Sequence, residues 1–320
     1  MSVGAGRRAV AIGGGTGLPA VIHSLLELGF ETSAVVTMAD DGGSSGMLRR
    51  QLGMLPPGDI RNCLVAMATD EQGLAAQVFQ YRFPQGEGLA GHALGNLILA
   101  ALADITDSFP AAIDYAEKYL GARGHVYPST LADIELHGVD RSGEALSGQA
   151  RLAVSPQPLE CVHLEPADPP AYAPALETIR QADVIVIGPG SLYTSLIPNF
   201  LVSGIADAVS ESSALRVYVC NVANMRGETG GLDAADHVAA LLDHGLSGEL
   251  DIVLVHEPCP GDTALCDDDS GVEAVAAGVD VIARIEAFGP RVVAAPLADP
   301  ADPVRHSRAA LQRTLEGVVA

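Results

Sequence analysis

The sequence predicts a three-layer α/β protein with a Rossmann-like, doubly wound and mostly parallel sheet that carries a β-rich insertion. Early in the chain, a short apolar run, a glycine loop and an amphipathic stretch follow one another. The same order of apolar run and polar loop returns several times in the second half. Hydrophobic residues make up 48% of the 320 residues and aromatic residues only 4%, so a large core of small aliphatic side chains can form.

Strands are predicted where a short apolar run ends in a polar or glycine-containing loop. In chain order these runs are Arg8–Ile12, Ser33–Ala39, Asp183–Ile187, Leu215–Val222, Asp251–His256 and Arg291–Leu297. Because the first two runs are separated by a helical stretch, the chain opens as the β-α-β unit of a doubly wound sheet, with parallel strands.

Helices are predicted where apolar residues recur at helical spacing. These stretches are Pro19–Leu28, Leu64–Ala68, Ala75–Tyr81, His92–Ile105 and Ala111–Leu120. Gly121 ends the last of them, as glycine often does after a helix. A further helix is expected after the turn-rich segment Asp299–Pro303.

The pattern changes between His125 and Leu164. Alternating polar and apolar residues, a turn at Asp140–Gly143 and scattered prolines indicate antiparallel strands. The proline-rich segment Pro166–Pro174 then returns the chain to the α/β core. We therefore expect a single domain over residues 1–320 with a β-rich insertion at residues 125–165.

Charge and composition exclude several functions. The net charge of −22 argues against binding to nucleic acid. Lys118 is the only lysine, which excludes a P-loop lysine and leaves no plausible Schiff base. No apolar run is long enough to span a bilayer, and the N-terminal run is too short for a signal peptide, so we expect a cytoplasmic protein.

No two of the five cysteines form a C-x-x-C pair, and in a cytosolic chain they are expected to be reduced and buried. Cys259 and Cys266, with His256 nearby, form only a weak zinc pattern, because structural zinc sites usually have tighter ligand spacing.

The carboxyl ends of parallel strands are where ligands bind in such sheets. The glycine loop, Gly13–Gly17, precedes a helix and is a candidate anion site; a tight turn without a ligand is the alternative. It is not a standard dinucleotide fingerprint, because Leu18 stands where the last glycine belongs.

The acidic loop, Asp40–Gly46, holds two carboxylates, two hydroxyls and three glycines. Such a loop can hold Mg²⁺ or a sugar, although Asp-Gly-Gly by itself is also typical of a polar turn. Further on, Pro56-Pro57-Gly58 presents Asp59, Arg61 and Asn62 at a helix start. Arg61 can clamp a phosphate; equally, Asp59 can cap the helix and pair with Arg61.

Two further segments carry ligand-type residues. Gly91–Asn96 opens an apolar helix with two glycines, and its His92 is either a general acid/base or a packing group. The Pro-Gly loop, Gly188–Ser195, has four hydroxyls and can bind a diphosphate, or else cap the next helix. Asn221 and Asn224–Thr229 add a polar loop on the same edge.

Taken together in this order, these motifs closely resemble those of the YvcK proteins, the gluconeogenesis factors. They are Gly13–Gly17, Asp40–Gly46, Leu55–Asn62, Gly91–Leu97, Ile187–Ser195, Asn221-Val222 and Gly227–Thr229. This family belongs to one superfamily with the CofD 2-phospho-L-lactate transferases of coenzyme F420 synthesis. The long Asp-Asp-Gly-Gly-Ser-Ser-Gly and Pro-Pro-Gly-Asp-Ile-Arg-Asn motifs resemble the YvcK branch. The resemblance covers nearly the whole chain.

The resemblance implies a Rossmann-like regulator of gluconeogenic carbon use and cell shape that binds a UDP-sugar. The alternative is a Mg²⁺-dependent 2-phospho-L-lactate transferase, with Asp40, Asp41 and His92 as catalytic candidates and the two aspartates as candidate Mg²⁺ ligands. An NAD-dependent oxidoreductase is a third hypothesis, so NAD(P), GDP and Mg²⁺ stay open as ligands, with none of them obligatory. A homo-oligomer is expected.

Near the C-terminus, Val304-Arg305-His306 resembles the family's terminal Arg-His segment, with Ser307 where an aspartate commonly follows. Arg305 is therefore a candidate sugar-nucleotide contact, or a solvated arginine at a helix start. The complete set of predicted ligand-binding residues is Gly13, Gly14, Gly15, Thr16, Gly17, Asp40, Asp41, Ser44, Ser45, Asp59, Arg61, Asn62, His92, Asn96, Gly188, Gly190, Ser191, Thr194, Ser195, Asn221, Glu228, Thr229 and Arg305.

Overall fold

A seven-stranded parallel sheet forms the centre of the computed structural model, which describes residues 2–225, 227–246, 250–257 and 272–320. The strands of the described residues are β1 (Arg8–Gly13), β2 (Glu31–Val36), β3 (Gly124–Pro128), β4 (Glu135–Asp140), β5 (Ala145–Ser147), β6 (Leu159–Glu165), β7 (Val184–Ile187), β8 (Leu215–Val219), β9 (Ala223–Met225), β10 (Ile252–His256), β11 (Val272–Ala274), β12 (Arg291–Ala295), β13 (Ala298–Asp299) and β14 (Asp302–His306). The central sheet has the order β12-β10-β8-β7-β1-β2-β3.

Helices cover the sheet, as expected for strands that are buried on both faces. They are α1 (Leu18–Glu27), α2 (Gly43–Leu52), α3 (Gly58–Met67), α4 (Leu74–Gln80), α5 (Leu94–Thr106), α6 (Phe109–Leu120), α7 (Gln149–Leu152), α8 (Ala173–Arg180), α9 (Ile197–Phe200), α10 (Ile205–Glu211), α11 (Ala234–Asp243), α12 (Val279–Glu286) and α13 (Arg308–Val319), with a π-helical turn at Leu192–Leu196. The helices α1, α3 and α13 pack together, and α8 packs against α10. The predicted three-layer Rossmann-like fold is confirmed.

The chain order of the strands reverses between β1 and β7. From β1 the chain builds outward through β2 to β3, then returns to place β7 on the other side of β1. Such a switch point leaves a crevice between the two loops that follow the neighbouring strands. Here those loops are the glycine loop and the Pro-Gly loop.

Several predicted strands end later than the observed ones. The second predicted strand reaches Ala39, whereas β2 ends at Val36, although Met38 and Ala39 are still buried. Likewise β8 ends at Val219 while Cys220 and Val222 stay buried. An apolar run indicates which residues are buried. These residues stay buried beyond the last hydrogen bond of the strand, so the predicted strands are too long.

The β-rich segment contains a three-stranded antiparallel sheet of order β5-β4-β6 within residues 135–165. The first residues of the predicted insertion, from His125 to Pro128, are part of β3. This strand pairs in parallel with β2 at the edge of the central sheet. An edge strand covered on one face has the same alternation of buried and exposed residues as an antiparallel strand. No helix in the described part of the chain is long and apolar enough to cross a membrane.

Candidate functional site

The glycine loop connects β1 to α1 and is held from two sides. The carbonyl of Gly13 accepts hydrogen bonds from the N–H of Thr37 at 2.9 Å and from Nδ2 of Asn199 at 3.2 Å. The N–H of Gly15 donates to Oδ2 of Asp59 at 2.7 Å. A Cβ on Gly14 would lie 2.7 Å from the same oxygen, so a side chain there would collide with it. Glycine is therefore required for the close approach of Asp59.

Asp40 and Asp59 form an acidic pair behind this loop. The hydroxyl of Ser45 hydrogen-bonds Asp40 and accepts the N–H of Gly58 at 3.1 Å. Burial, followed by the negative charge of Asp40, raises the pKa of Asp59 to about 7, against the opposing effects of the Gly15 N–H and Arg61. Burial also raises the pKa of Asp40. Two carboxylates held together away from water favour a proton or a cation between them.

A buried polar chain continues from this pair. Arg61, only 5% exposed, donates to Oδ1 of Asn96 at 3.1 Å and to Oδ1 of Asn62 at 2.7 Å. Asn96 donates in turn to the hydroxyl of Ser44, which lies 3.0 Å from Nδ1 of His92. Burial lowers the pKa of Arg61 to about 10, so its guanidinium stays charged at neutral pH. The predicted residues of the second and third motifs thus form one network, with His92 at its far end.

Asp41 has a hydrogen-bond partner outside this network, although its charge helps to raise the pKa of Asp40. Its Oδ1 accepts the N–H of Ala150 at 2.8 Å, at the start of α7 in the β-rich segment. The Mg²⁺ prediction for Asp40 and Asp41 stays a prediction, and the structure adds a third carboxylate, Asp59, beside Asp40. Among the described residues, no group of three His, Cys, Asp or Glu side chains could hold a metal ion. Asp40 and Asp59 fit Mg²⁺ only with phosphate oxygens or water as additional ligands.

The Pro-Gly loop is filled by a side chain of the protein itself. Glu228, 2% exposed, accepts hydrogen bonds through Oε1 from the N–H groups of Tyr193 and Thr194 at 2.8 and 3.0 Å, and from the Thr194 hydroxyl at 3.1 Å. Burial raises the pKa of Glu228, and these bonds lower it. Asn221 clamps Gly190 with two hydrogen bonds, accepting its N–H and donating to its carbonyl. The N–H groups expected to bind a diphosphate are thus already bonded at Gly190, Tyr193 and Thr194.

A cavity of about 570 Å³ opens at the switch point. Residues of the glycine loop, the Pro-Gly loop, the β8–β9 connection and the C-terminal segment line it together: Thr16, Gly17, Pro19, Ala20, His23, Pro189, Gly190, Ser191, Asn221, Val222, Ala223, Met225, Val304, Arg305, His306 and Arg308. The helix α1 begins at this cavity with no side-chain cap. Among the described residues that line it, the charged side chains are arginines and none is a carboxylate.

Among the histidines and arginines that line the cavity, three were not predicted as contacts: His23, His306 and Arg308. His306 was quoted only as part of the Arg-His segment. His23 lies on the helix after the glycine loop, and Arg308 opens α13 three residues after Arg305. The spacing gave no signal for Arg308, because Arg305 lies on β14 and Arg308 on α13, with the helix N-cap Ser307 between them. His23 carries no sequence signal, because it reaches the cavity only through the packing of α1.

The other predicted residues have simpler surroundings. Ser195 lies beside the glycine loop, and the Thr229 hydroxyl accepts the N–H of Met225 within its own turn. Arg305 lines the cavity while its Nε lies 3.0 Å from Oδ2 of Asp302. Cys259 and Cys266 lie outside the described residues, so the weak zinc pattern stays a prediction. The described cysteines are free thiols; Cys63 and Cys220 are buried as expected, whereas Cys161 is exposed, because it lies on an outward-facing position of β6.

Comparison with known proteins places these features in a family. Residues 9–298 match the family model described as 2-phospho-L-lactate transferase CofD. The gluconeogenesis factor of Halalkalibacterium halodurans is 46% identical over 257 residues, which are 80% of either chain. That of Bacillus subtilis (strain 168) is 45% identical over 244 residues, 76% of this chain and 77% of the relative.

One relative is much longer. A Nostoc sp. (strain PCC 7120) protein, provisionally named a gluconeogenesis factor, is 48% identical over 263 residues, 81% of this chain. The matched part is only 57% of that relative, so the chain spans little more than half of its length. A crystal structure of a UPF0052 family member from Bacillus halodurans superposes with a TM-score of 0.90 at 40% identity, covering 96% of this chain and 98% of the other.

Proposed function

This chain belongs to the CofD family, alongside the gluconeogenesis factors it matches, and we propose that it is a nucleotide-sugar-binding regulator whose ligand is a UDP-sugar. It acts in the cytoplasm, on gluconeogenic carbon use and on cell shape. The names of the relatives support the gluconeogenic part of this proposal. The expectation of a homo-oligomer stays a prediction.

The observation that carries the proposal is the cavity at the switch point. Among the described residues that line it, the charged side chains are arginines, in a chain whose net charge is −22, and α1 begins at the same space without a side-chain cap. A helix N-terminus and a pair of arginines both favour a bound anion. A volume of about 570 Å³ is in the range of sites for small molecules of nucleotide size. A diphosphate placed against α1 and the arginines would leave the base and the sugar to the remaining walls.

The test is a thermal-unfolding panel of the whole chain with UDP-N-acetylglucosamine, UDP-glucose, GDP, GTP and NAD(P), each with and without Mg²⁺. A ligand at 100 times its Kd stabilises the folded state by about 2.7 kcal/mol, which raises Tm by about 4 °C in a chain of this length. We expect that rise with the UDP-sugars, independent of Mg²⁺, and a smaller rise in Arg305→Gln. Arg313→Gln, an exposed position on α13, serves as the charge-matched control. An unchanged Tm at millimolar UDP-sugar would contradict the proposal.

A second candidate function is the Mg²⁺-dependent transfer of a 2-phospho-L-lactyl group in coenzyme F420 synthesis, in line with the name of the family model. The buried pair Asp40 and Asp59 favours it, because two adjacent carboxylates with raised pKa values suit a cation shared with phosphate oxygens. Bound Mg²⁺ would neutralise phosphate charge. Asp40 and Asp59 would hold it, and the positive charge of Arg61 would help to keep both of them ionised.

This alternative makes a different prediction in the same panel. A rise in Tm with GDP or GTP that requires Mg²⁺ would favour it, and a transfer assay with a deazaflavin alcohol acceptor would follow. There, Asp40→Asn should abolish turnover. Asp41→Asn should retain it, because Asp41 is engaged by the N–H of Ala150 in the insertion. Turnover that survives in Asp40→Asn would exclude the metal role of this pair.

A further inference from the structure

The cavity contains a second arginine, Arg308, whose surroundings differ from those of Arg305. Arg305 pairs locally with Asp302, three residues away, and its side chain is 66% exposed. Arg308 instead reaches across to a distant part of the chain, where its Nη1 donates to Oε1 of Glu71 at 2.7 Å. An arginine tied at one nitrogen keeps its other N–H groups in a restricted orientation.

Glu71 is held by a second residue besides Arg308. Its second oxygen, Oε2, lies 2.7 Å from Nε2 of His23, a residue of α1 that is 8% exposed and also lines the cavity. The three side chains thus form a line from α1 through Glu71 to the first residue of α13. The same two helices pack against each other.

The protonation state of His23 follows from this geometry. Burial, and next the positive charge of Arg308, lower the pKa of His23 to about 4, so the ring is neutral at pH 7. A carboxylate can only accept, so the single ring proton must be on Nε2 and donate to Glu71. Burial would raise the pKa of Glu71, but its bond to Arg308 and the nearby positive charges hold it below its usual value. Glu71 is therefore an anion, bonded at both of its oxygens.

We propose that Arg308 is a second phosphate-binding residue of the nucleotide site, and that Glu71, oriented by His23, is the positioning residue that directs its guanidinium. This inference rests on the proposed function and extends it. A diphosphate bound between the start of α1 and Arg308 would join α1 to α13 at the end where both helices begin. Arg308 and Arg305 would approach the two phosphates from different sides of the same junction.

The experiment is isothermal titration of the whole chain with UDP-N-acetylglucosamine at low and at high salt. A charge-assisted hydrogen-bond pair is worth roughly a 10- to 100-fold change in Kd, which is the loss expected for Arg308→Gln at low salt. Arg308→Lys should be intermediate, since an ammonium keeps the charge without the planar fork. Arg313→Gln, on the exposed side of the same helix, should bind like the wild type.

Glu71→Gln tests the positioning role. Because the pair with Arg308 is partly exposed, we expect only a weakening of roughly two- to fivefold, with the Tm of the unliganded protein nearly unchanged. A purely structural effect would lower that Tm and would not depend on salt, whereas loss of a phosphate contact shrinks at high salt. Equal or tighter binding by Glu71→Gln would overturn the role of Glu71.

The outcomes separate the two proposals. A wild-type chain that binds no nucleotide in the panel would overturn the proposed function, and the role of Arg308 with it. A wild-type chain that binds while Arg308→Gln binds equally well would overturn only the role of Arg308.

Discussion

The glycine loop and the Pro-Gly loop look alike in the sequence and differ in the folded protein. Both follow a buried strand at the switch point, and both were predicted to bind an anion through backbone N–H groups. In the Pro-Gly loop, the carboxylate of Glu228 occupies these groups. In the glycine loop, the N–H of Gly15 donates a hydrogen bond to Asp59. The loop leads into α1, whose N-terminus has no side-chain cap.

This difference teaches that loop composition does not decide whether an anion site is available. The decisive residue, Glu228, lies 34 residues from Thr194 along the chain. It satisfies the N–H groups that a phosphate would otherwise bind, so the Pro-Gly loop is one wall of the cavity and the glycine loop offers the anion-binding end. Three changes test this comparison.

The largest effect is expected from Glu228→Ala. The N–H groups of Tyr193 and Thr194 would be left buried without an acceptor, at about 1–3 kcal/mol each. Urea unfolding should therefore show a loss of roughly 2–5 kcal/mol. Glu228→Gln, which keeps one carbonyl oxygen as an acceptor, should lose less.

The same variant can show whether the Pro-Gly loop is an anion site closed by its own carboxylate. If it is, sulfate should raise the Tm of Glu228→Ala more than that of the wild type, because an anion replaces the lost carboxylate. Wild-type stability in Glu228→Ala would remove the distinction between the two loops.

The second largest loss of stability is expected from Gly17→Ala, at the contact between the glycine loop and the Pro-Gly loop. A Cβ on Gly17 would lie 2.5 Å from the carbonyl oxygen of Pro189, a backbone atom that cannot move aside freely. Gly17→Ala should therefore cost about 1–3 kcal/mol and weaken ligand binding, measured by thermal unfolding and titration. Gly317→Ala is the matched control, since nothing lies within 4 Å of its Cβ position in α13. That change should stabilise the protein by about 0.5–1 kcal/mol, and equal effects from both variants would show that the loops are not in close contact.

The smallest effect at neutral pH is expected from Asp59→Asn. The pKa of Asp59 is raised to about 7 in the folded protein, mainly by burial and then by Asp40, so the folded state binds a proton that the unfolded state has already lost. The wild type therefore loses stability as the pH rises toward and through 7. Asn keeps an oxygen for the N–H of Gly15 without the charge. The stability of the variant relative to the wild type should thus increase from pH 5 to pH 8 in urea unfolding, and a difference that stays constant with pH would contradict the raised pKa.

Much of the candidate site could be predicted from neighbouring residues. The glycine loop, the acidic loop, Asp59 and Arg61 each stand next to a strand or helix start, so local order brought them to the right edge of the sheet. The Mg²⁺ prediction for Asp40 and Asp41 stays a prediction, and only the folded chain adds Asp59 beside Asp40. Adjacent residues at a strand end point in different directions, and Asp41 contacts Ala150 in the insertion while Asp40 lies with Asp59.

The succession of strands, loops and helices along the chain could be predicted from the sequence, because hydrophobic periodicity and glycine placement are local properties. The motifs were enough to indicate the family as well. What only the tertiary structure decided is which polar groups are already satisfied. Glu228 fills the Pro-Gly loop, and Glu71 connects His23 to Arg308. A hydrogen bond between residues far apart in the chain depends on distances of a few tenths of an ångström, and these exist only once the core has packed.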